Sequence, residues 1–161
     1  MSNVRPHVNT PQFTELPFLW EPDGSLRDVY VLRTSLADWE VFLAFVSSYP
    51  YTHAVDGERC PMPSAAHIFG SPSSSSHLLR VSLGQVTVNC HFFTESELEL
   101  DIEPREVRGA EEHAQVMRFV EQLAMAIGKP ALITPEGGAT VPFLSFDPLH
   151  GVWSSAESPA S

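Results

Sequence analysis

The chain has 161 residues, and its 20 acidic side chains against 9 Lys and Arg give a formal net charge of −11. A hydrophobic fraction of 43% excludes a disordered chain, and the excess of acid argues against nucleic acids and anionic membranes as partners. No apolar stretch approaches the roughly 20 residues that cross a bilayer, and the first residues lack a signal-peptide pattern. We therefore expect a cytoplasmic protein.

The first half of the chain predicts one strand and one helix. A Pro22-Asp23-Gly24 turn precedes a strand over 28–33, and Ser35 is the expected N-cap of a helix that ends near residue 48. The helix has one apolar stripe, formed by Trp39, Phe42, Leu43 and Val46. Residues 50–76 are rich in proline and serine, and we predict a long loop there, with at most a short strand near 65–69.

Residues 77–102 predict a three-stranded antiparallel meander with strands over 77–83, 86–93 and 97–102. Gly84-Gln85 fits a two-residue type II′ turn, and a three-residue loop over 94–96 places Cys90 opposite Leu100. One face of the meander is then apolar and is expected to be buried. That face consists of Leu79, Val81, Leu83, Val86, Val88, Cys90, Phe92, Leu98, Leu100 and Ile102.

The last third predicts a helix over 110–127 and two closing strands over 131–134 and 141–146. Strands grouped in a meander, together with helices that each have one apolar stripe, favour an α+β fold. We expect an antiparallel-rich sheet with two helices packed on one face. Residues 1–153 form a single domain in this interpretation, and residues 154–161 form a polar tail.

Acidic residues alternate along the third strand of the meander. Glu97, Glu99, Asp101 and Glu103, here called the acidic row, are two residues apart and should project from one face of the sheet. His91 and Arg80 are the expected neighbours of the row on the other two strands. The row is either a solvated outer face or a docking surface for a cation, and a straight strand spreads its carboxylates too far apart for a metal site.

The sequence predicts no catalytic residue, cofactor or metal site. Cys60 and Cys90 lack zinc-site spacing and are expected to be free thiols, and no phosphate-binding glycine loop occurs. A Cys90–His91 dyad is excluded, because adjacent strand residues point to opposite faces. Cys90 is therefore interpreted as a core thiol, and His91 as a residue of the outer face that lies beside Arg80 or bonds Glu99.

Several short motifs resemble segments of small bacterial proteins, some of which are similar to immunity proteins of toxin systems. They are HFF at 91–93, DIEPRE at 101–106, IGKP at 127–130 and LITPE at 132–136. The resemblance covers about a third of the chain. It implies a cytoplasmic binding protein without enzymatic activity, and it carries over no catalytic residue.

Three functional hypotheses follow. The leading one is a non-catalytic module that binds a basic or neutral protein, in the manner of an immunity protein that masks a basic effector. The second is a small hydrolase or ligand-binding domain with a pocket under residues 50–76 that uses His53, His67 or Asp56. The third is a structural subunit that forms a homodimer through an exposed strand edge.

Overall fold

A computed structural model describes residues 9–155, and these residues form one nine-stranded antiparallel sheet. The strand order is β3-β2-β4-β5-β6-β1-β7-β8-β9. The strands are β1 (Arg27–Leu32), β2 (Tyr51–Val55), β3 (Glu58–Arg59), β4 (His77–Leu83), β5 (Val86–Cys90), β6 (Glu97–Ile102), β7 (Ala131–Pro135), β8 (Leu144–Asp147) and β9 (Val152–Ser155). The α+β class expected from the sequence is confirmed.

Three helices accompany the sheet: α1 (Leu36–Val46), α2 (Ala65–Gly70) and α3 (Ala110–Ile127). Ser35 caps α1 in the predicted way, because its hydroxyl accepts from the Asp38 amide while the Asp38 carboxylate accepts from the Ser35 amide. Gly128 ends α3 in the left-handed conformation at φ 79°. The two long helices therefore begin and end close to where the sequence predicts.

The core lies between one face of the sheet and the apolar stripes of the helices. All four residues of the predicted α1 stripe are buried, and α3 buries Val116, Phe119, Val120 and Leu123. Every residue of the predicted apolar face of the meander is buried as well. The opposite face of the sheet, here called the outer face, carries the polar residues of the same strands.

The register of the meander is the predicted one, since Leu79 pairs with Cys90 and Cys90 pairs with Leu100. The second strand, however, ends at Cys90 instead of 93. Phe92 has a positive φ of 58°, and Thr94 forms an isolated bridge with Glu97. Three residues separate Cys90 from Thr94, whereas only two separate Glu97 from Leu100. The extra residue forms an irregular turn over 91–93, which takes His91 and Phe93 out of the strand. The predicted three-residue loop over 94–96 is therefore wrong, because the connection contains only residues 95 and 96.

The prediction of a long loop over 50–76 is wrong. This segment contains β2, β3 and α2, and the short strand expected near 65–69 is instead the helix α2. Ser64 begins that helix by accepting a hydrogen bond from the His67 amide. β2 pairs with β4 on one side and β3 on the other, so the meander extends into a wider sheet.

The N-terminal part of the described chain packs in the core, and the C-terminal part forms the last strand of the sheet. Leu19 and Trp20 are buried, so the N-terminal segment contributes to the core. The second closing strand begins later than predicted, at Leu144, and β9 runs to Ser155. Residues 154 and 155, which were predicted to belong to a polar tail, are therefore part of β9, and the rest of that predicted tail lies outside the described residues. No helix within residues 9–155 is long and apolar enough to cross a membrane.

Candidate functional site

β6 places three residues of the acidic row on the outer face, as predicted. Glu97, Glu99 and Asp101 are half-buried and alternate with the fully buried Leu98, Leu100 and Ile102. Glu103 lies just after the end of the strand, before a short 3-10 turn. Glu103 thus extends the acidic row beyond β6, and only Glu97, Glu99 and Asp101 lie on the strand itself.

β1 lies directly beside the row, which the sequence did not reveal. Asp28 is opposite Asp101, and Tyr30 is opposite Glu99. The Tyr30 hydroxyl donates to Glu99 Oε1 at 2.7 Å and lies 3.3 Å from Asp28 Oδ2. A buried aspartate and a buried tyrosine therefore extend the acidic row into the next strand.

Asp28 is only 4% exposed, although it has carboxylates around it. Its Oδ2 accepts from the Gly137 amide at 2.7 Å. Burial raises the pKa of the Asp28 carboxyl, and the nearby charges of Glu99 and Asp101 raise it further. Like charges in opposite positions of an antiparallel pair destabilise the sheet. This part of the outer face therefore concentrates carboxyl groups, and within residues 9–155 none of Asp28, Glu99 and Asp101 forms an ion pair with a Lys or Arg.

His91 bonds a different carboxylate from the predicted one. Its Nε2 lies 3.3 Å from Asp101 Oδ2, whereas Glu99 is bonded by Tyr30. The His91 ring also stacks on Phe93, with centroids 5.4 Å apart. Phe93 is 68% exposed. The irregular turn after Cys90 causes this arrangement, because it removes His91 from the regular alternation of β5.

Basic side chains compensate the row only weakly. Arg80 is in register with Asn89, which separates it from Asp101. Within residues 9–155, Arg80 forms no ion pair, and the contact between Glu103 and Arg105 at 3.6 Å is the only one that a Lys or Arg makes with the row. Arg80 is therefore on the outer face, as predicted, but it does not neutralise the carboxylates.

A second polar cluster lies near the β2–β3 edge of the sheet, under α2. His53 Nδ1 lies 3.2 Å from Cys60 Sγ, and His53 Nε2 lies 3.1 Å from His77 Nδ1. His77 Nε2 in turn lies 3.3 Å from the Ser71 hydroxyl. Both histidines are buried and their ring planes differ by only 28°, while Cys60 is partly exposed. These four residues, here called the thiol-imidazole chain, form one continuous line of hydrogen bonds.

The Ser71 hydroxyl determines which atom donates in each hydrogen bond of the thiol-imidazole chain. The Ser71 hydroxyl donates to the His67 carbonyl at 2.8 Å, so it accepts from His77 Nε2. His77 Nδ1 then accepts from His53 Nε2. In this tautomer His53 Nδ1 has no proton and accepts from the Cys60 thiol, whereas the backbone acceptors at Cys60 and Pro61 near the ring favour a protonated nitrogen. Burial lowers the pKa of both histidines, which keeps their rings neutral.

Openings flank this chain on both sides. One of about 360 Å³ is lined by Tyr51, Arg59, Cys60, Met62 and neighbouring residues, and one of about 440 Å³ by His67, Ser71, His77 and the loop before β4. Of the residues predicted for a pocket here, His53 contacts Cys60, and His67 lines the second opening. Asp56 instead holds the backbone, since its Oδ1 accepts from the Ser76 amide at 2.8 Å.

The two cysteines lie in different surroundings. Cys90 is a buried core thiol, as expected, and burial raises its pKa. Both cysteines are unbonded to each other. Within residues 9–155, no group of three or more His, Cys, Asp or Glu side chains is arranged to hold a metal ion. In the thiol-imidazole chain the reason is visible, because Cys60 and His77 bind opposite nitrogens of His53 and do not converge on one point.

Sequence signals for the missed residues were weak. Asp28 and Tyr30 alternate with Val29 and Val31, which marks an outer face, but nothing local reveals that β1 pairs with β6 some 70 positions later. His53 and Cys60 are seven residues apart and meet only because β2 turns into β3. No protein-family model, no curated protein and no solved structure matches this chain.

Proposed function

We propose that this protein is a non-catalytic binding module that captures a basic protein on the acidic part of its outer face. The observation that carries the proposal is the group of four carboxylates on β6 and β1, Asp28, Glu97, Glu99 and Asp101. None of them forms an ion pair with a Lys or Arg within residues 9–155. A cationic partner would relieve the repulsion between them, and its attraction would speed association.

The aromatic residues next to the row favour a protein as the partner. Phe93 is exposed and stacks on His91, which itself contacts Asp101. Protein interfaces combine exposed aromatic anchors with complementary charge at the rim. Small inorganic cations would not use Phe93, and nucleic acids would be repelled by the carboxylates.

The immunity-type form of the proposal adds a specific partner, namely a basic effector protein encoded by a neighbouring gene. The resemblance of the 91–136 segment to small bacterial proteins supports this form. Binding would take place in the cytoplasm, in keeping with two cysteines that are not bonded to each other. Dimerisation through an edge strand and ligand binding under α2 are the competing outcomes.

The test is a stopped-flow measurement of association with the purified product of the neighbouring gene, at two salt concentrations. The test variant Glu97→Gln/Glu99→Gln/Asp101→Asn keeps hydrogen-bond acceptors for Tyr30 and Asn89 while it removes three charges. The matched control Glu21→Gln/Glu58→Gln/Glu111→Gln removes three exposed charges that lie away from the outer face.

We expect the test variant to lower the association rate constant about tenfold at low salt and to flatten its salt dependence. The control should change both quantities much less. Equal effects of the two variants would show that net charge alone matters and would overturn the proposed surface. A neighbouring product that does not bind would overturn the immunity-type form.

A further inference from the structure

We propose that Cys60 is a nucleophilic thiol that exchanges with an anionic low-molecular-weight disulfide, with His53 as its base. The proposal is independent of the binding function, because it concerns the β2–β3 edge of the sheet, whereas the acidic row lies on the middle strands β6 and β1. It rests on three observations: the geometry of the thiol-imidazole chain, the access to Cys60, and the charge beside it.

The geometry is that of an activated nucleophile. Such sites place a nucleophile within hydrogen-bond reach of a base that a third group orients. Cys60 Sγ lies 3.2 Å from His53 Nδ1, and His77 accepts from the other nitrogen of the same ring at 3.1 Å. His77 is fixed in turn by Ser71. The unprotonated nitrogen of His53 is thereby aimed at the thiol.

Burial separates the base from solvent while the thiol stays accessible. His53 is 2% exposed and His77 is 7% exposed, whereas Cys60 is partly exposed at an opening of about 360 Å³. A reagent of modest size can therefore reach the sulfur without displacing the imidazole. Cys90, by contrast, is buried in the core and serves as an internal unreactive thiol.

The surroundings favour attack on sulfur over attack on a carbonyl. Acyl transfer needs hydrogen-bond donors for the oxyanion that develops. The Cys60 amide already donates to the His53 carbonyl at 3.0 Å, and Pro61 has no amide hydrogen. Displacement at a disulfide sulfur develops charge on the leaving sulfur and needs no such donors.

Arg59 selects an anionic disulfide. It lines the same opening as Cys60, and it forms no ion pair with a carboxylate within residues 9–155. Its guanidinium is therefore available to a carboxylate on the incoming molecule. Disulfides of the glutathione type combine a reactive sulfur–sulfur bond with several carboxylates.

The step balances without a further reactant. The Cys60 proton moves to His53 Nδ1, and the thiolate attacks one sulfur of the disulfide. A new sulfur–sulfur bond forms as the old one breaks, and the leaving thiolate takes the proton from His53. The Cys60 sulfur is oxidised and the leaving sulfur is reduced, so that the products are a mixed disulfide and one free thiol.

The experiment measures the rate of reaction of the native protein with oxidised glutathione at pH 7, followed by intact mass. A peptide of residues 57–63 is the reference, because it contains Arg59 and Cys60 without the imidazoles. We expect native Cys60 to react at least about tenfold faster than the peptide. Cys60→Ser should abolish the native reaction. A native rate no higher than that of the peptide would overturn the proposal.

Substitution of His53 tests the base. His53→Asn keeps an acceptor near the position of Nδ1 but removes its basicity, and we expect its rate to fall to that of the peptide. Thermal unfolding of the variant checks that the fold persists. If His53→Asn unfolds the protein, the Cys90→Ala variant and the native protein still decide the question through their rate relative to the peptide. A folded His53→Asn variant that keeps the native rate would contradict the assigned base.

His77 is a positioning residue, and its role has a spectroscopic signature. Nitrogen-15 NMR should find both His53 and His77 protonated at Nε2 in the native protein. In His77→Gln we expect a mixture of His53 tautomers together with a rate loss of about threefold to tenfold. Protonation of native His53 at Nδ1 would overturn the proposed direction of proton transfer.

The role of Arg59 is tested by comparing an anionic disulfide with a neutral one. Arg59→Gln should slow the reaction with oxidised glutathione about twofold to fivefold, as expected of one exposed charge. It should leave the reaction with the neutral bis(2-hydroxyethyl) disulfide unchanged. Equal slowing with both reagents would overturn the anionic preference.

Discussion

The middle and the β2–β3 edge of the sheet both bury ionisable side chains, but they do so in opposite ways. At the middle, Asp28 lies beside Glu99 and Asp101, so burial and like charges act in the same direction on its pKa. At the edge, His53 and His77 are neutral, and both nitrogens of each ring have partners. The first arrangement stores repulsion that a partner can relieve, whereas the second holds a base in a fixed orientation.

The difference arises from where each group lies in the fold. Asp28 projects from a central strand into a row of carboxylates, and its bond from Gly137 only partly offsets the burial. The histidines project toward α2, where Ser71 provides an acceptor that fixes the direction of every bond along the line.

Among the variants, Leu123→Ala should lower the free energy of unfolding most, and it should weaken the middle and the β2–β3 edge of the sheet alike. Leu123 is fully buried in α3 and packs in the core that supports the whole sheet. Loss of a buried leucine side chain and the cavity left behind destabilise by about 2–5 kcal/mol. Chemical denaturation measures the change, and a loss below about 1 kcal/mol would contradict the assigned core.

His77→Leu should cause the next largest loss in the free energy of unfolding, and this loss arises only at the β2–β3 edge of the sheet. It leaves the His53 Nε2 hydrogen without an acceptor in a buried place, which costs about 1–3 kcal/mol. His77→Gln retains polar atoms there and should cost less. If the two variants unfolded at the same denaturant concentration, the hydrogen bonds of the thiol-imidazole chain would not contribute to stability.

Asp28→Asn should instead raise the free energy of unfolding, by a smaller amount that depends on pH. The folded pKa of Asp28 is raised, so its contribution to stability is fully present below the unfolded value near 3.8 and is lost as pH rises through the folded value. Asparagine keeps an acceptor for the Gly137 amide and does not ionise. The variant should therefore gain stability relative to the native protein as pH rises.

Denaturant titrations of both proteins between pH 4 and 8 measure this difference, in which other titrating groups cancel. A variant that becomes less stable than the native protein as pH rises would show that the Asp28 carboxylate is stabilised by the fold. In that case the middle of the sheet would not store repulsion, and it would not differ in this respect from the β2–β3 edge.

Local sequence patterns predicted the regular parts of the fold. Alternation and the Gly84-Gln85 turn determine the register of β4 and β5, and capping by Ser35 and Gly128 defines the ends of helices. The acidic row was predictable for the same reason, because strand periodicity alone places Glu97, Glu99 and Asp101 on one face.

Long-range pairing and irregular turns were not predictable in this way. The position of Asp28 beside Asp101 depends on contact between β1 and β6, and the bond from His91 to Asp101 depends on the positive φ of Phe92. A β-branched or aromatic residue rarely adopts that conformation, so sequence reasoning continued the strand through it. Prolines around 50–76 likewise concealed β2 and α2, which tertiary pairing stabilises.

The most direct test of the central claim, that the outer face holds unrelieved repulsion, is the salt dependence of the unfolding free energy without any partner. The row variant Glu97→Gln/Glu99→Gln/Asp101→Asn and the matched control Glu21→Gln/Glu58→Gln/Glu111→Gln have the same net charge. We predict that the row variant is more stable than the control at low salt and that added salt narrows the difference. A row variant that is less stable than the control at low salt would contradict the claim.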